Sequence, residues 1–242
     1  MKHGASFRDP CRNYITILSR TSSLGHLNVV EFLLENGLGE NLNEALKSAC
    51  ECGNLDIMKY LIEHGANIHS CYLLNIACRY GYLHIAKFLV EQGINIHYGD
   101  DFSFNVAVKH GRLEIVKFLL EHGVDPNACL QSISDTCACG HVEMIKFLMD
   151  LGVKIRCYDL NIILPYVCQK NDPDLMKFFI ENSADPHYQN DLVLRWACDR
   201  GYKNFIKTLW LYQTRIDDRQ QSRCKHCCFK MINFLLTNQD VI

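Results

Sequence analysis

The sequence predicts an all-α solenoid of about eight helix–turn–helix repeats. Three observations predict it: one phrase recurs at a near-constant interval, its apolar residues fall at helical spacing, and glycines stand where such helices must end. "GYLHIAKFLVEQGINIH", Gly81 to His97, nearly repeats "GNLDIMKYLIEHGANIH", Gly53 to His69. With the first glycine as offset zero, the pattern starts at Gly25, Gly53, Gly81, Gly111, Gly140, Asn171 and Gly201, and a degraded copy starts at Cys227. The intervals are 28, 28, 30, 29, 31, 30 and 26 residues. A period near thirty marks units too small to bury their own apolar face, so that stacked neighbours must complete the burial.

In the second helix of each unit, offsets four, five, eight and nine are mostly apolar, as in Ile115, Val116, Leu119 and Leu120. That spacing makes one broad stripe on a helix. Offset six is Lys in six units and offset ten is acidic in six, which places Lys–acid pairs four residues apart on the opposite, solvated face. Offset twelve is Gly in five units, the residue that ends a helix in the left-handed region. Second helices are therefore expected over 25–37, 53–65, 81–93, 111–123, 140–152, 171–183, 201–213 and 227–239, in one array spanning 1–242. The first helix precedes offset zero, with a large residue seven back (Leu18, Leu46, Leu74, Phe104, Ile133, Leu164, Leu194). Small residues stand four and three back, on the same face.

That second small slot explains much of the cysteine content. Six of the 14 cysteines (Cys50, Cys78, Cys137, Cys168, Cys198, Cys224) occupy it, where a thiol acts as a compact hydrophobe. The Met1 end has no apolar signal region, so the chain is expected in a reducing intracellular compartment. No stretch is apolar for the roughly 18 residues a membrane span needs. A net charge of −2 argues against a surface built for nucleic acid. Apolar residues at 48% are enough for a sizeable core.

"GRLEIVKFLLEHG", Gly111 to Gly123, carried by a helix–turn–helix unit, resembles the ankyrin repeat, and the resemblance runs from about Tyr14 to Ile242. It implies non-catalytic protein–protein binding through the concave face and finger tips, by a monomer without cofactors. Two departures matter. No T-P-L-H opens the first helices, and the units fall short of 33 residues between offset twelve and the next first helix. The β-hairpin fingers of the family should therefore be shortened, with "NIHYGDDFS" (Asn95 to Ser103) the longest turn. Short, Cys-rich units favouring "NIH" look like the divergent ankyrin repeats of giant DNA viruses of amoebae, which would make the partner a host protein.

The finger tips supply the candidate contact stripe: His69, Tyr72, His97, Tyr98, Phe102, Arg156, Tyr158, His187 and Tyr188. These residue types combine apolar area with a polar end and suit interfaces. Gly-rich phosphate motifs are absent, and no catalytic constellation stands out. The one weak metal candidate is Cys224, His226 and Cys227, a C-x-x-C without a second ligand pair. It motivates an alternative reading, a zinc-dependent regulator; Cys224 in the small slot and Cys227 at the turn are equally explained by a capping repeat. The opening "MKHGAS" reads like the tail of a unit, so the first helices are expected to expose apolar surface. With the missing T-P-L-H, it also motivates a second alternative, an eroded repeat protein without a specific partner.

Overall fold

A computed structural model describes residues 16–69 and 72–213, the side chains of Asn190, Trp210 and Gln213 aside. The degraded eighth unit, Cys224, His226, Cys227 and the "MKHGAS" stretch lie outside the described residues. The fold is an α-solenoid of helix–turn–helix repeats, with no strand among the described residues. Contacts divide it into two compact units between Cys129 and Leu130.

Unit 1 holds four helix pairs: α1 (Ile17–Ser23) with α2 (Leu27–Glu35), α3 (Leu42–Glu51) with α4 (Leu55–Glu63), α5 (Leu73–Tyr80) with α6 (Leu83–Glu91), and α7 (Tyr98–Lys109) with α8 (Leu113–Glu121). Unit 2 holds three: α9 (Ile133–Ala138) with α10 (Val142–Asp150), α11 (Cys157–Gln169) with α12 (Pro173–Glu181), and α13 (Tyr188–Asp199) with α14 (Lys203–Gln213). Each first helix packs on the next within its unit, α1 on α3, α3 on α5, α5 on α7, and likewise α9 on α11 and α11 on α13. The predicted large residues Leu18, Leu46, Leu74, Phe104, Ile133, Leu164 and Leu194 are buried in those rows.

The second helices end about two residues inside the expected spans, because offsets zero and twelve are left-handed turn residues. Two of the three described positions without glycine show that the turn itself is required; the third, Gln213, is the last residue of α14. Asn171 holds offset zero at φ 49° and Ser183 holds offset twelve at φ 75°. At the C-terminus of α4, Ala66 N–H donates to Leu61 C=O and Gly65 N–H to Ile62 C=O, a Schellman closure. Offset eleven adds a side-chain cap. His64 Nδ1 and His122 Nδ1 lie 2.8 Å from the carbonyls of Tyr60 and Phe118. A carbonyl only accepts, so Nδ1 carries the hydrogen. Asn36 and Asn182 donate from Nδ2 to Phe32 and Phe178 at the same step.

A second set of donors joins neighbouring repeats. The residue after offset zero reaches back to the exposed carbonyl end of the preceding first helix: Asn54 Nδ2 to Ser22 O (2.7 Å), Tyr82 hydroxyl to Glu51 O (3.3 Å), Arg112 Nε to Arg79 O (3.0 Å). Helix ends leave such carbonyls unpaired, so each repeat caps the one before it. Asp172 cannot donate at this position, and in its repeat Tyr166 does so instead, to Ala138 O at 2.7 Å. The cysteine slot works similarly. Cys50 Sγ–H points to Leu73 O at 3.5 Å and Cys168 Sγ–H to Val193 O at 3.7 Å, both carbonyls in the next first helix. Burial pushes the Cys78 and Cys137 thiols up to about 12, and those of Cys129 and Cys168 up to about 11. These are structural thiols, and none of the nine described cysteines forms a disulfide.

The outer lysines depart from expectation. Lys117 Nζ bonds Glu114, three residues before it, at 2.8 Å. Lys59 and Lys146 instead lie over the rings of Phe88 and Phe178, in the next repeat, at 5.7 and 5.5 Å. A Lys placed before its acid makes the weaker helical pair, and a long aliphatic stem on a neighbouring ring competes with it.

Candidate partner-binding surface

The shortened fingers are Asx-turns. Asn67, Asn95, Asp125 and Asp185 hold offset fourteen, and each side chain accepts a backbone N–H from two residues on: His69, His97, Asn127 and His187, all at 2.9 Å. Asn and Asp make this turn because their short side chain mimics a backbone carbonyl. With the backbone satisfied locally, no strand pairing is needed, and the expected hairpin shrinks to a stub.

Two fingers carry a larger device. "HYGDD" at His97–Asp101 and "HYQND" at His187–Asp191 share H-Y-x-x-D, three repeats apart. In both, the imidazole closes on the Asp: His97 Nδ1 to Asp101 Oδ1 at 2.7 Å, and His187 Nδ1 to Asp191 Oδ1 at 2.6 Å. In both, the chain between them turns left-handed, at Gly99, Asp100 and Asp101 (φ 64°, 54°, 58°), and at Gln189 and Asp191 (φ 53°, 59°). The turn presents the Tyr of each motif to the finger before it. Tyr98 meets Tyr72 with ring centroids 5.9 Å apart, and Tyr188 meets Tyr158 edge-on at 6.5 Å. A hydrogen bond to Tyr72, that neighbour's charge and burial together raise the Tyr98 hydroxyl above its usual range.

The structure thus places Tyr72 and Tyr98 together in unit 1, 65% and 60% exposed, with exposed Phe102 four residues on from Tyr98. Under them lies a cavity of about 330 Å³, walled by Tyr72, Tyr98 and His69 and floored by Leu73, Leu74 and Ile94. Asn75 and Ser103 also line it, and the Ser103 hydroxyl donates to Asn75 Oδ1. His97 belongs to the turn lock and is not among the cavity walls.

In unit 2, Tyr158 is exposed while Tyr188 and His187 are half-buried. Arg156 has a structural engagement that its sequence position does not reveal. Its Nε meets Asp159 Oδ2 at 2.8 Å, and Nη2 reaches Ser134 Oγ at 2.9 Å. Asp159 is only 1% exposed, so Arg156 neutralises a buried carboxylate. That hydrogen bond and charge raise the guanidinium further above its normal range.

Sequence reasoning missed Asn75, Ser103, Asp159 and the H-Y-x-x-D lock. The recurrence of H-Y-x-x-D was the available signal. The metal candidate Cys224, His226 and Cys227 lies outside the described residues, among which no cluster of three or more His, Cys, Asp or Glu side chains could hold an ion. No described helix is long and apolar enough to cross a membrane.

Comparison with known proteins agrees with this architecture. The family model described as ankyrin repeats (3 copies) matches residues 1–72 and 69–129, more than half of the 242 residues. The crystal structure of the human ASB11 ankyrin repeat domain is similar at TM-score 0.53 and 21% identity, covering 84% of this chain and 97% of that one. No curated protein matches. Period, helix pairing and family match converge, and the chain belongs to the ankyrin-repeat family.

Proposed function

We propose that this chain is a non-catalytic scaffold that binds a partner protein through its finger tips, chiefly Tyr72, Tyr98 and Phe102. Ankyrin-repeat domains generally mediate protein–protein interaction. The observation that carries the reading here is the pair of exposed tyrosines poised over a cavity by a locked turn. Aromatic side chains of this kind present large area at low entropic cost and anchor interfaces. Positioning residues before the partner arrives reduces the ordering cost of association. His69 and His97 complete the proposed contact set of unit 1, and Arg156, Tyr158, His187 and Tyr188 form a separate proposed set in unit 2, with His97, His187 and Arg156 acting through the turns they hold. We further propose a monomer working in a reducing intracellular compartment, consistent with the nine described cysteines, none of which forms a disulfide. The resemblance to repeats of amoebal giant viruses makes a host protein the first partner class to test.

The test is a photo-crosslinking pull-down from amoebal lysate with a photoreactive residue at Tyr72, read by mass spectrometry. A specific partner should appear with the native surface and vanish in the His97/Tyr98/Phe102 triple alanine variant. Equal capture by both would overturn the reading.

A further inference from the structure

A second surface lies in unit 1 at the opposite end of the helices from the fingers, along the turns that join each first helix to its second. Around offset zero, the turn of the second repeat carries Glu51, Cys52, Asn54 and Asp56, and that of the third carries Arg79, Tyr80, Tyr82 and His84. Capping the preceding repeat needs one donor, at the residue after offset zero. The rings of Tyr80 and His84 and the cation of Arg79 go beyond that need.

The rings form a fixed row. Tyr80 stacks on Tyr82 with centroids 6.0 Å apart and planes at 24°, and His84 follows Tyr82 at 6.0 Å. Two of the three are tied to the second repeat, Tyr82 through its hydroxyl to Glu51 O and His84 through Nε2, 3.3 Å from Gly53 O. Tyr80 is 44% exposed, and its hydroxyl has no hydrogen-bond partner among the described residues. Arg112 joins the row from the fourth repeat. Its Nε–H donates to Arg79 O at 3.0 Å. A Cβ built on Gly81, between Tyr80 and Tyr82, would meet its Cδ, Nε and Cζ at 3.0, 3.2 and 3.5 Å. The guanidinium is thus anchored on the Gly81 turn. Neither Arg112 nor exposed Arg79 pairs with a carboxylate among the described residues. Glu114, two residues beyond Arg112, is engaged by Lys117 at 2.8 Å. A guanidinium held at Nε still offers its Nη1/Nη2 edge, whose parallel N–H groups match the two oxygens of a carboxylate.

We infer that this edge docks an acidic segment of a partner protein, with one carboxylate on the Nη edge of Arg112, a second on Arg79 and an apolar side chain on the Tyr80 ring. Charge selects the occupant, because two unpaired arginines beside exposed aromatic area attract an anion that carries apolar neighbours. Glu51 and Asp56 on the adjoining turn bound the cationic strip on one side, which suits a short acidic stretch and repels a phosphate strand. The site shares no residue with the Tyr72–Tyr98 surface and stands or falls separately from it.

The probe is a fluorescein-labelled Glu-rich peptide with one central Phe, titrated by anisotropy at physiological salt, with the same peptide carrying Gln for Glu as control. The Glu peptide should bind, more weakly as salt rises, and the Gln peptide at least tenfold more weakly. Arg112→Gln, Arg79→Gln and Tyr80→Ala should each weaken binding about three- to fivefold, and the Arg79/Arg112 double Gln variant about tenfold or more. Lys87→Gln, the same loss of charge on the outer face of α6, and the His97/Tyr98/Phe102 triple alanine variant should leave it unchanged. Far-ultraviolet circular dichroism confirms folding. Arg79→Gln and Tyr80→Ala keep the test open should loss of the Arg112 cap unfold its repeat. Equal binding of both peptides, an equal loss from Lys87→Gln, or a loss from Arg112→Gln that neither Arg79→Gln nor Tyr80→Ala shares would overturn the inference. Tighter binding of a labelled oligo-dT strand, lost in the same variants, would also overturn it, because the edge would then serve nucleic acid.

Discussion

Gly140→Ala tests the coupling between repeats. Gly140 sits at φ 73°, and a Cβ built on it would meet the Tyr166 ring, with Cγ at 2.7 Å and Cε1 at 2.8 Å. Gly93 has a similar φ of 83°, but a Cβ there meets nothing within 4 Å. The pair separates backbone strain from packing. Strain in the left-handed region costs about 1–2 kcal/mol at either site. At Gly140 the ring must also move, at about 1–2 kcal/mol for overpacking, and Tyr166 loses its bond to Ala138 O, worth about 1 kcal/mol. Gly140→Ala should therefore cost about 3–5 kcal/mol and lower Tm by about 10 °C, against a few degrees for Gly93→Ala. The assay is thermal unfolding followed by circular dichroism, repeated with Gly140→Ala in a Tyr166→Ala background. There the cost should shrink to that of Gly93→Ala, a coupling of about 2 kcal/mol. A Gly140→Ala cost that the second change leaves untouched would refute the reasoning.

Other outcomes follow from the same structure. Leu89→Ala empties a fully buried position between neighbouring helices and should cost about 2–5 kcal/mol, whereas Lys87→Ala on the exposed face should stay within about 0.5 kcal/mol, both by denaturant melts. Arg112→Ala leaves the Arg79 carbonyl without its cap and should cost about 1 kcal/mol, while Arg112→Lys should recover only part of it. The raised thiols of Cys78 and Cys137 make folded protein bind protons that the unfolded chain has released. Stability from this source is complete below the ordinary thiol range, about 8.5, and is lost as pH rises toward about 12. Urea midpoints should thus be flat near neutrality and fall above about pH 9. In thiol-reagent titrations of native protein, exposed Cys52, Cys139 and Cys157 should react quickly, and Cys78 and Cys137 only after unfolding.

The repeat carries most of the fold in plain view, because stacking demands the same apolar offsets in every unit. Even the departures obey it: Asn171 and Ser183 stand where glycine is usual and take the same left-handed turn. The caps between repeats are hidden because the carbonyl they satisfy is indifferent to the donor. Asn54, Tyr82, Arg112 and Tyr166 share no letter, only an N–H or O–H of sufficient reach. Lys59 and Lys146 read as partners of nearby acids because sequence spacing reports neighbours on one helix, not the ring of the next repeat. The residues proposed for the finger tips stand out in the sequence only as residue types at tip positions. Their division of labour does not stand out, because Arg156 is defined by a buried Asp159 in the following turn, and His97 by an Asp101 that takes a left-handed conformation to reach it.

The most direct test of the proposed function is a hydrogen-exchange footprint of the chain bound to its crosslinked partner. Protection should concentrate in the 94–102 finger and the start of α5, around Tyr72 and Tyr98. Protection confined to the outer helices, with that finger exchanging as in the unbound chain, would contradict it.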